Sequence, residues 1–194
     1  MAAPVGISHS HVHSMRLKDG REALLARVIA TEGIAGFGCT LNDDAGVARD
    51  MAAWDAAARI AGQPLHALLG GVRRRRVQVL LDELPAIAPD WDALRKGIRD
   101  SRWKLLRLDP FAWGSLEKVH AVAAVAGNRA VALLAPHAHP WEIGWCALLA
   151  ATLPAAEAHV IVRVQPDSAV LAVGDQPGIG LDWSLEPAFA AIRW

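Results

Sequence analysis

Residues 50–71 read DMAAWDAAARIAGQPLHALLGG, and their spacing decides how the rest of the chain is interpreted. Apolar side chains recur there with helical periodicity, which predicts a helix over residues 46–61 that Gly62 ends. Asn42-Asp43-Asp44 precede this helix and supply an N-cap, because a short polar side chain accepts a hydrogen bond from the unpaired N–H groups of the first turn. The segment PLHALL predicts a short second helix, which the two glycines of LLGG stop.

The residues before this helix predict three antiparallel strands. Residues 7–17 alternate between two faces, as a half-exposed strand does. A turn at Lys18-Asp19-Gly20 leads to a second strand over residues 23–31, and Glu32-Gly33 leads to a third, IAGFGC. Short strands joined by tight glycine turns are typical of an antiparallel meander.

The residues after it predict alternating strands and helices, which is the pattern of a β/α layer. From residue 159 onward the segments HVIVRV, AVLAV and PGIGLDW predict further strands. The predicted strands of the layer cover residues 77–81, 103–108 and 132–135, and its predicted helices cover residues 91–100, 115–127 and 141–153.

Composition indicates a globular protein without a bulk preference for polyanions. The chain has 194 residues, of which 53% are hydrophobic and 21% charged, with a formal net charge of zero and a pI near 7.1. We therefore expect neither nucleic acid nor a membrane as a partner. The run Arg73–Arg76 has two interpretations, a phosphate-binding patch or a solvated turn, and its place between Leu-Gly-Gly and a strand favours the turn.

The sequence carries no visible targeting signal. Residues 1–15 lack the basic and then apolar segments of a secretory signal. The apolar stretch 143–164 contains a proline and ionisable side chains, so a buried helix followed by a strand explains it better than a membrane span. Cys39 and Cys146 lie far apart without CxxC spacing, which gives no support to a disulfide or a zinc knuckle. We expect a cytoplasmic protein.

Residues 50–71, with Trp-Asp on a helix and a terminal LLGG, resemble the segment of the enolase superfamily that leads from the capping domain into the barrel. The preceding TEGIAGFG is similar to the cap strands of that family, and QPGIGLDWS is similar to the segment with which its members return to the cap. The resemblance is to the mandelate racemase and muconate lactonizing enzyme kind.

The resemblance implies an α+β fold, in which an enolase-type capping domain of antiparallel meander and helices is joined to a residual, incomplete β/α barrel layer. It divides the chain into a cap-like segment 1–71, a residual barrel segment 72–158 and a C-terminal return 159–194. Only about 90 residues separate Gly71 from the return, whereas a complete barrel takes about 200 or more. Several strand–helix units are therefore missing. In the family, those units carry a Lys-x-Lys motif and three carboxylates that bind magnesium.

The resemblance also implies two catalytic residues, Asp109 and His137. In members of this kind one strand ends in an Asp before a loop and a helix, and the next ends in a His, often within Pro-His, as in RLDP and APHA here. A carboxylate on one strand end can orient an imidazole on its neighbour and make it a general base near neutral pH. The residues alone also allow Asp109 to cap the following helix and His137 to be an ordinary loop side chain, and this alternative stays open.

No cofactor or metal is expected for this protein alone, although magnesium serves the family. Magnesium needs several hard oxygen ligands, and the predicted strand ends offer Asp82, Glu83 and Asp109 without three that converge. The segment most similar to Lys-x-Lys is Lys104-Leu-Leu-Arg107. Some members carry an acid on the last strand, and the corresponding stretch here, Val160–Arg163, has none.

Two histidine groups leave a metal hypothesis open. His9, His11 and His13 share one strand face, where they are either a zinc or nickel chelate or, as we favour, an exposed polar face. His139 and Glu142, beside His137, are further potential ligands, although their spacing does not demand a metal.

Three functions follow as hypotheses. The first is a degenerate relative of acid-sugar dehydratases and racemases, whose ancestral reaction is proton abstraction alpha to a carboxylate. Such a protein is inactive alone but retains weak binding of a small carboxylate or acid sugar. The second is a partial subunit of a split magnesium-dependent enzyme, and the third is a non-catalytic interaction protein. Because a partial barrel exposes strand edges, we expect a homo-oligomer or a complementing chain.

Overall fold

The computed structural model describes residues 5–83, 90–99 and 104–194. The described residues form two compact units. Unit 1 contains the residues up to Leu69 together with Gly174–Trp194, and unit 2 contains Gly70–Val173. No helix within the described part of the protein is both long enough and apolar enough to cross a membrane.

Unit 1 is built on the predicted antiparallel meander, a three-stranded sheet in the order β1-β2-β3. The predicted helices of this segment are confirmed, and the side chain of Asp44 accepts a hydrogen bond from the N–H of Gly46 as the N-cap. The segment PGIGLDW forms no strand; Gly178 within it makes only an isolated bridge to Pro64. The elements of unit 1 are β1 (Ile7–Arg16), β2 (Glu22–Ala30), β3 (Ala35–Thr40), α1 (Ala45–Ile60), α2 (Leu65–Leu68), a 3-10 helix (Trp183–Leu185) and α6 (Pro187–Ala190).

Glycines in β3 allow α1 to lie directly against the sheet. A Cβ on Gly36 would stand 2.2 Å from the carbonyl oxygen of Ala52, and one on Gly38 would stand 2.2 Å from that of Ala48. The interface is filled by small buried side chains of β2 and α1. The GxG of the motif TEGIAGFG therefore reflects a steric demand of helix packing.

Asp55, the acid of the Trp-Asp pair, ties three segments of unit 1 together. Its carboxylate is fully buried and accepts hydrogen bonds from the backbone N–H of Phe37 at 2.9 Å and of Ile179 at 2.8 Å. Its third donor is Nε of Arg59, at 2.7 Å. Gly178 passes so close that a Cβ there would lie 2.3 Å from Asp55 Oδ1. The three stretches that resemble the cap segments of the enolase superfamily are thus joined by one buried carboxylate.

Unit 2 contains a five-stranded sheet in the order β5-β6-β7-β4-β8, with β8 antiparallel to β4 and the other pairs parallel. The predicted end of the helix at residue 100 and the predicted start of the strand at residue 103 lie outside the described residues. The elements are β4 (Arg76–Leu81), α3 (Trp91–Arg99), β5 (Leu105–Leu108), α4 (Leu116–Ala126), β6 (Ala130–Leu134), α5 (Pro140–Thr152), β7 (Ala158–Val162) and β8 (Val170–Ala172).

Strand pairing in the sheet of unit 2 explains why the boundary between the units falls after Val173. Residues 159–173, which the sequence assigns to the C-terminal return, lie in unit 2. The reason is that β7 pairs with β6 and β4 and that β8 pairs with β4. Strand pairing, and not the order of the segments along the sequence, fixes this boundary.

One face of the sheet, called the inner face here, carries Leu105, Ala132, Leu134 and Ile161. The guanidinium of Arg107 on β5 lies 3.1 Å from a carboxylate oxygen of Asp82, which follows β4. Two strands separate β5 from β4, so in a flat sheet these backbones would stand ~14 Å apart. The two side chains therefore reach toward each other across the two intervening strands. The predicted α+β fold with a partial barrel layer is confirmed.

The basic run is not a wholly solvated turn. The guanidinium of Arg74 donates hydrogen bonds to the carbonyl oxygens of Ala150, Leu153 and Ala155 at the end of α5. The carbonyls at the end of a helix lack partners within it, so the Arg74 guanidinium caps the C-terminus of α5. Cys39 and Cys146 are both buried and are not joined by a disulfide.

Candidate functional site

The carboxyl ends of the parallel strands bring several polar side chains to one edge of unit 2. Asp82 follows β4, Asp109 follows β5, His137 lies three residues beyond β6, and Arg163 follows β7. Parallel strands all end at the same edge, which is the edge where β/α folds place their ligand sites. The sequence placed Asp109 and His137 there, and both lie there.

Asp109 is engaged by its own turn. Its Oδ1 accepts hydrogen bonds from the N–H of Phe111 at 2.9 Å and of Ala112 at 3.2 Å. The cap of α4 is a different residue, Ser115, whose hydroxyl oxygen accepts from the N–H of Lys118. The alternative in which Asp109 caps the following helix is therefore replaced by one in which it closes the turn after β5.

The environment of Asp109 raises the pKa of its carboxyl. Burial is the largest cause, and the negative charge of Glu142 acts in the same direction. Hydrogen bonds from the N–H groups of Ala112 and Phe111, and the charge of His137, lower the pKa in part. These effects mean that the charges of Asp109, His137 and Glu142 act on one another within a single site.

His137 is held directly by Glu142. The ring Nδ1 of His137 lies 2.8 Å from Oε1 of Glu142, and its backbone N–H donates to Oε2 at 2.9 Å. The His137 side chain is 34% exposed, whereas that of Glu142 is 0% exposed. The sequence alone offers Glu142 only as a further potential metal ligand; the structure makes it the carboxylate that contacts the imidazole.

The start of α5 stabilises a carboxylate at the position of Glu142. His139 is the N-cap and its Nδ1 accepts from the N–H of Trp141, while Pro140 occupies the first turn. Glu142 is the third residue of the helix, where a carboxylate interacts favourably with the helix dipole and can turn back to an N–H before the helix. An acid at this position after a proline is the sequence signal that would have identified Glu142.

Strain is stored beside the imidazole. Ala138 has φ +52°, and it is the one non-glycine residue with a positive φ in the described ranges. A left-handed conformation costs an alanine about 1–2 kcal/mol. Such strain persists only where the surrounding contacts impose it, and it is frequent at functional sites.

Cys146, one turn further along α5, does not act as a nucleophile here. Its thiol is fully buried and donates to the carbonyl oxygen of Leu134 at 3.6 Å. Burial, with the negative charges of Glu142 and Asp109, raises the pKa of the thiol well above its usual value. The reactive thiolate is therefore suppressed.

A cavity of about 310 Å³ opens next to the His137 loop. Ala138, Ile143 and Leu171 contribute apolar walls, and residues 164–168 supply polar groups from Gln165, Asp167 and Ser168. Its volume lies at the small end of the range for small-molecule sites.

The residues present do not fit a magnesium ion. Asp82 is paired with Arg107, Asp109 accepts two backbone N–H groups, and both oxygens of Glu142 are bound to His137. Across residues 5–83, 90–99 and 104–194, no set of three or more His, Cys, Asp or Glu side chains is arranged to hold a metal.

His9, His11 and His13 on β1 are likewise not arranged to hold a metal among the described residues. These residues pair with successive alternate positions of β2 and share one face of β1. His9 and His11 are exposed, and the ring of His13 packs edge-on against Trp194 at 5.0 Å.

Similarity to known proteins is found in structure and not in sequence. No family model matches the chain, and no curated protein matches it. A mandelate racemase/muconate lactonizing enzyme from Bordetella bronchiseptica RB50 matches with a TM-score of 0.72 and 13% identity, over 96% of this chain and 99% of that one. The chain has the enolase-superfamily fold.

Other solved structures with this fold also match the chain over most of its length. A racemase from Streptomyces coelicolor A3(2) with bound magnesium has a TM-score of 0.67 and 14% identity, covering 96% of this chain and 100% of that one. L-talarate dehydratase from Polaromonas sp. JS666, complexed with Mg and L-glucarate, has a TM-score of 0.65 and 14% identity, covering 95% and 97%. At these identities the enolase-superfamily likeness establishes the fold, and the chemistry has to be argued from the residues.

Proposed function

We propose that this protein is a degenerate enolase-superfamily member that binds a small carboxylate or acid sugar at the strand ends of unit 2. It does not carry out metal-dependent turnover by itself. The observation that supports this most directly is the use of Asp82, Asp109 and Glu142 in contacts within the protein. In the family such strand-end carboxylates would have to converge on magnesium.

The site retains groups that suit an anionic ligand. His137 is partly exposed and lies on the edge where the strands end, with Asp109 close enough for their charges to interact. The ancestral reaction removes a proton alpha to a carboxylate, and its enediolate needs strong electrostatic stabilisation. His137 and Asp109 can bind and exchange protons, but they do not supply that stabilisation. We therefore expect the protein to bind a carboxylate ligand without catalysing the ancestral reaction by itself.

Calorimetry with tartrate and glucarate, with and without magnesium chloride, tests this proposal. We expect weak binding of the carboxylates that magnesium does not strengthen. We also expect no magnesium-dependent deuterium incorporation alpha to the carboxylate in heavy water. His137→Asn should lose the binding, whereas His11→Asn, an exposed control in unit 1, should keep it. Tight magnesium binding by the protein alone, or magnesium-dependent exchange, would contradict the proposal.

One observation favours a second candidate, a subunit completed by another polypeptide or copy. Leu80 on the inner face of β4 is 37% exposed and Val164 beyond β7 is 58% exposed. A closed barrel would bury such apolar groups, and an added polypeptide that finished the wall would bury them too. Light scattering at micromolar concentration separates the possibilities: self-association is expected, and a clean monomer would leave only a separate complementing polypeptide.

A further inference from the structure

The loop between β6 and α5 holds His137 through one buried side chain. Both carboxylate oxygens of Glu142 are used on the same residue, one on the backbone N–H and one on the ring Nδ1. We infer that Glu142, and not Asp109, is the positioning residue for His137: it fixes the imidazole proton on Nδ1 and leaves Nε2 as the basic nitrogen of the ring. The inference rests on the proposed function in taking His137 as the ligand-facing group.

The hydrogen-bond roles leave one assignment. An ionised carboxylate only accepts, so an Nδ1 that lies 2.8 Å from Oε1 must carry a proton. A neutral imidazole has a single N–H, so its other nitrogen, Nε2, is the acceptor. Because the second oxygen is bound to the His137 N–H, the carboxylate cannot rotate away without losing both bonds.

The neighbouring backbone supports the same role. Ala138 is held in a left-handed conformation, and the N–H of Ala138 donates to the carbonyl oxygen of Ala135 at 3.1 Å. His139 then caps α5, so three successive residues are fixed by separate contacts. A ring whose backbone and Nδ1 are both fixed is held in one orientation, which is what a positioned imidazole requires.

Asp109 has a different task. Its Oδ1 serves the turn after β5, through Phe111 and Ala112. Its effect on His137 is exerted through charge, while Glu142 makes the contact at hydrogen-bond distance. The site therefore contains a positioned imidazole and a separate carboxyl group, and the two are not one oriented pair.

The test is the tautomer of His137 in the full-length protein, read from nitrogen chemical shifts in long-range proton–nitrogen spectra at a pH where the imidazole is neutral. We expect the Nδ1–H form in the wild-type protein. Glu142→Gln should move His137 toward the Nε2–H form or a mixture, because the two His137 N–H groups use different carboxylate oxygens and the amide replaces one of these acceptors with an NH₂ donor. Asp109→Asn should leave the tautomer unchanged.

Matched controls keep the outcome decisive. Glu157→Gln alters an exposed pair with His159, 3.4 Å apart, and should not change the His137 signals. If Glu142→Gln does not fold, as judged by circular dichroism, Glu142→Asp keeps the charge but shortens the reach and should give a mixture. An Nε2–H form in the wild type, or a tautomer that changes with Asp109→Asn and not with Glu142→Gln, would overturn the inference. No ligand enters this measurement, so its failure is distinguishable from a failure of carboxylate binding.

Discussion

Replacement of the buried acid of unit 1, Asp55→Asn, should destabilise that unit strongly while changing almost nothing in shape. The carboxylate accepts from the N–H groups of Phe37 and Ile179 and from Arg59 Nε. An asparagine keeps one oxygen and puts an NH₂ group where the other oxygen was. Either Phe37 or Ile179 then faces a donor in place of an acceptor.

The magnitude follows from these contacts. A buried N–H without an acceptor costs about 1–3 kcal/mol, and hydrogen bonds to a charged group contribute about 1.5–3 kcal/mol each. The Arg59 side chain is 36% exposed, so solvent screening reduces its ion pair with Asp55 to at most about 1 kcal/mol. One orphaned N–H and a weakened remaining bond together give about 3 kcal/mol. That is about a hundredfold change in the opening equilibrium of unit 1.

Amide hydrogen exchange at Phe37 and Ile179 measures this opening locally, so the result does not depend on how unit 2 unfolds. Exchange of both amides should accelerate by about a hundredfold in Asp55→Asn. Asp43→Asn, a change of the same chemistry at an exposed position before α1, should leave both rates within a factor of about two. If Asp55→Asn accelerates exchange less than about fivefold, the buried carboxylate does not hold unit 1 together and the reasoning is wrong.

Two further changes test unit 2. Because burial raises the folded-state pKa of Asp109 above its ordinary value near 3.8, the folded protein binds this proton more tightly than the unfolded one. The stability that this tighter proton binding adds is fully present below the pKa of Asp109 in the unfolded chain. It is lost as the pH rises through the pKa of Asp109 in the folded protein. Urea unfolding should be measured from about pH 3 to pH 7. The unfolding free energy of Asp109→Asn should increase relative to that of the wild type as pH rises, and a difference that stays constant with pH would contradict this. Ala138→Gly should raise the unfolding free energy by about 1 kcal/mol, since glycine adopts φ +52° without strain; a loss of stability would mean that the Ala138 methyl group is needed for packing.

The sequence determined the local elements because their signals are local. The helix predicted over residues 46–61 spans Ala45–Ile60 with Asp44 as its cap, and the meander before it forms as predicted. The pattern also predicts strands that end at residues 108 and 135, close to the ends of β5 and β6, while the choice of Asp109 and His137 came from the resemblance to the enolase superfamily. Strand periodicity, caps and glycine positions are properties of neighbouring residues, so no knowledge of the fold was needed.

The tertiary structure decided which groups meet. Arg107 reaches Asp82 across two intervening strands, and Arg74 caps α5 from a distant part of the sequence. The partner of His137 was five residues away, but it became evident only once α5 began at Pro140 and turned Glu142 back toward the loop. Side-chain pairing depends on the order of the strands in the sheet and on the direction in which each helix starts, and these are set by packing among segments remote in sequence. The sequence thus determined which residues stand at the site, and the packing determined which carboxylate holds the histidine.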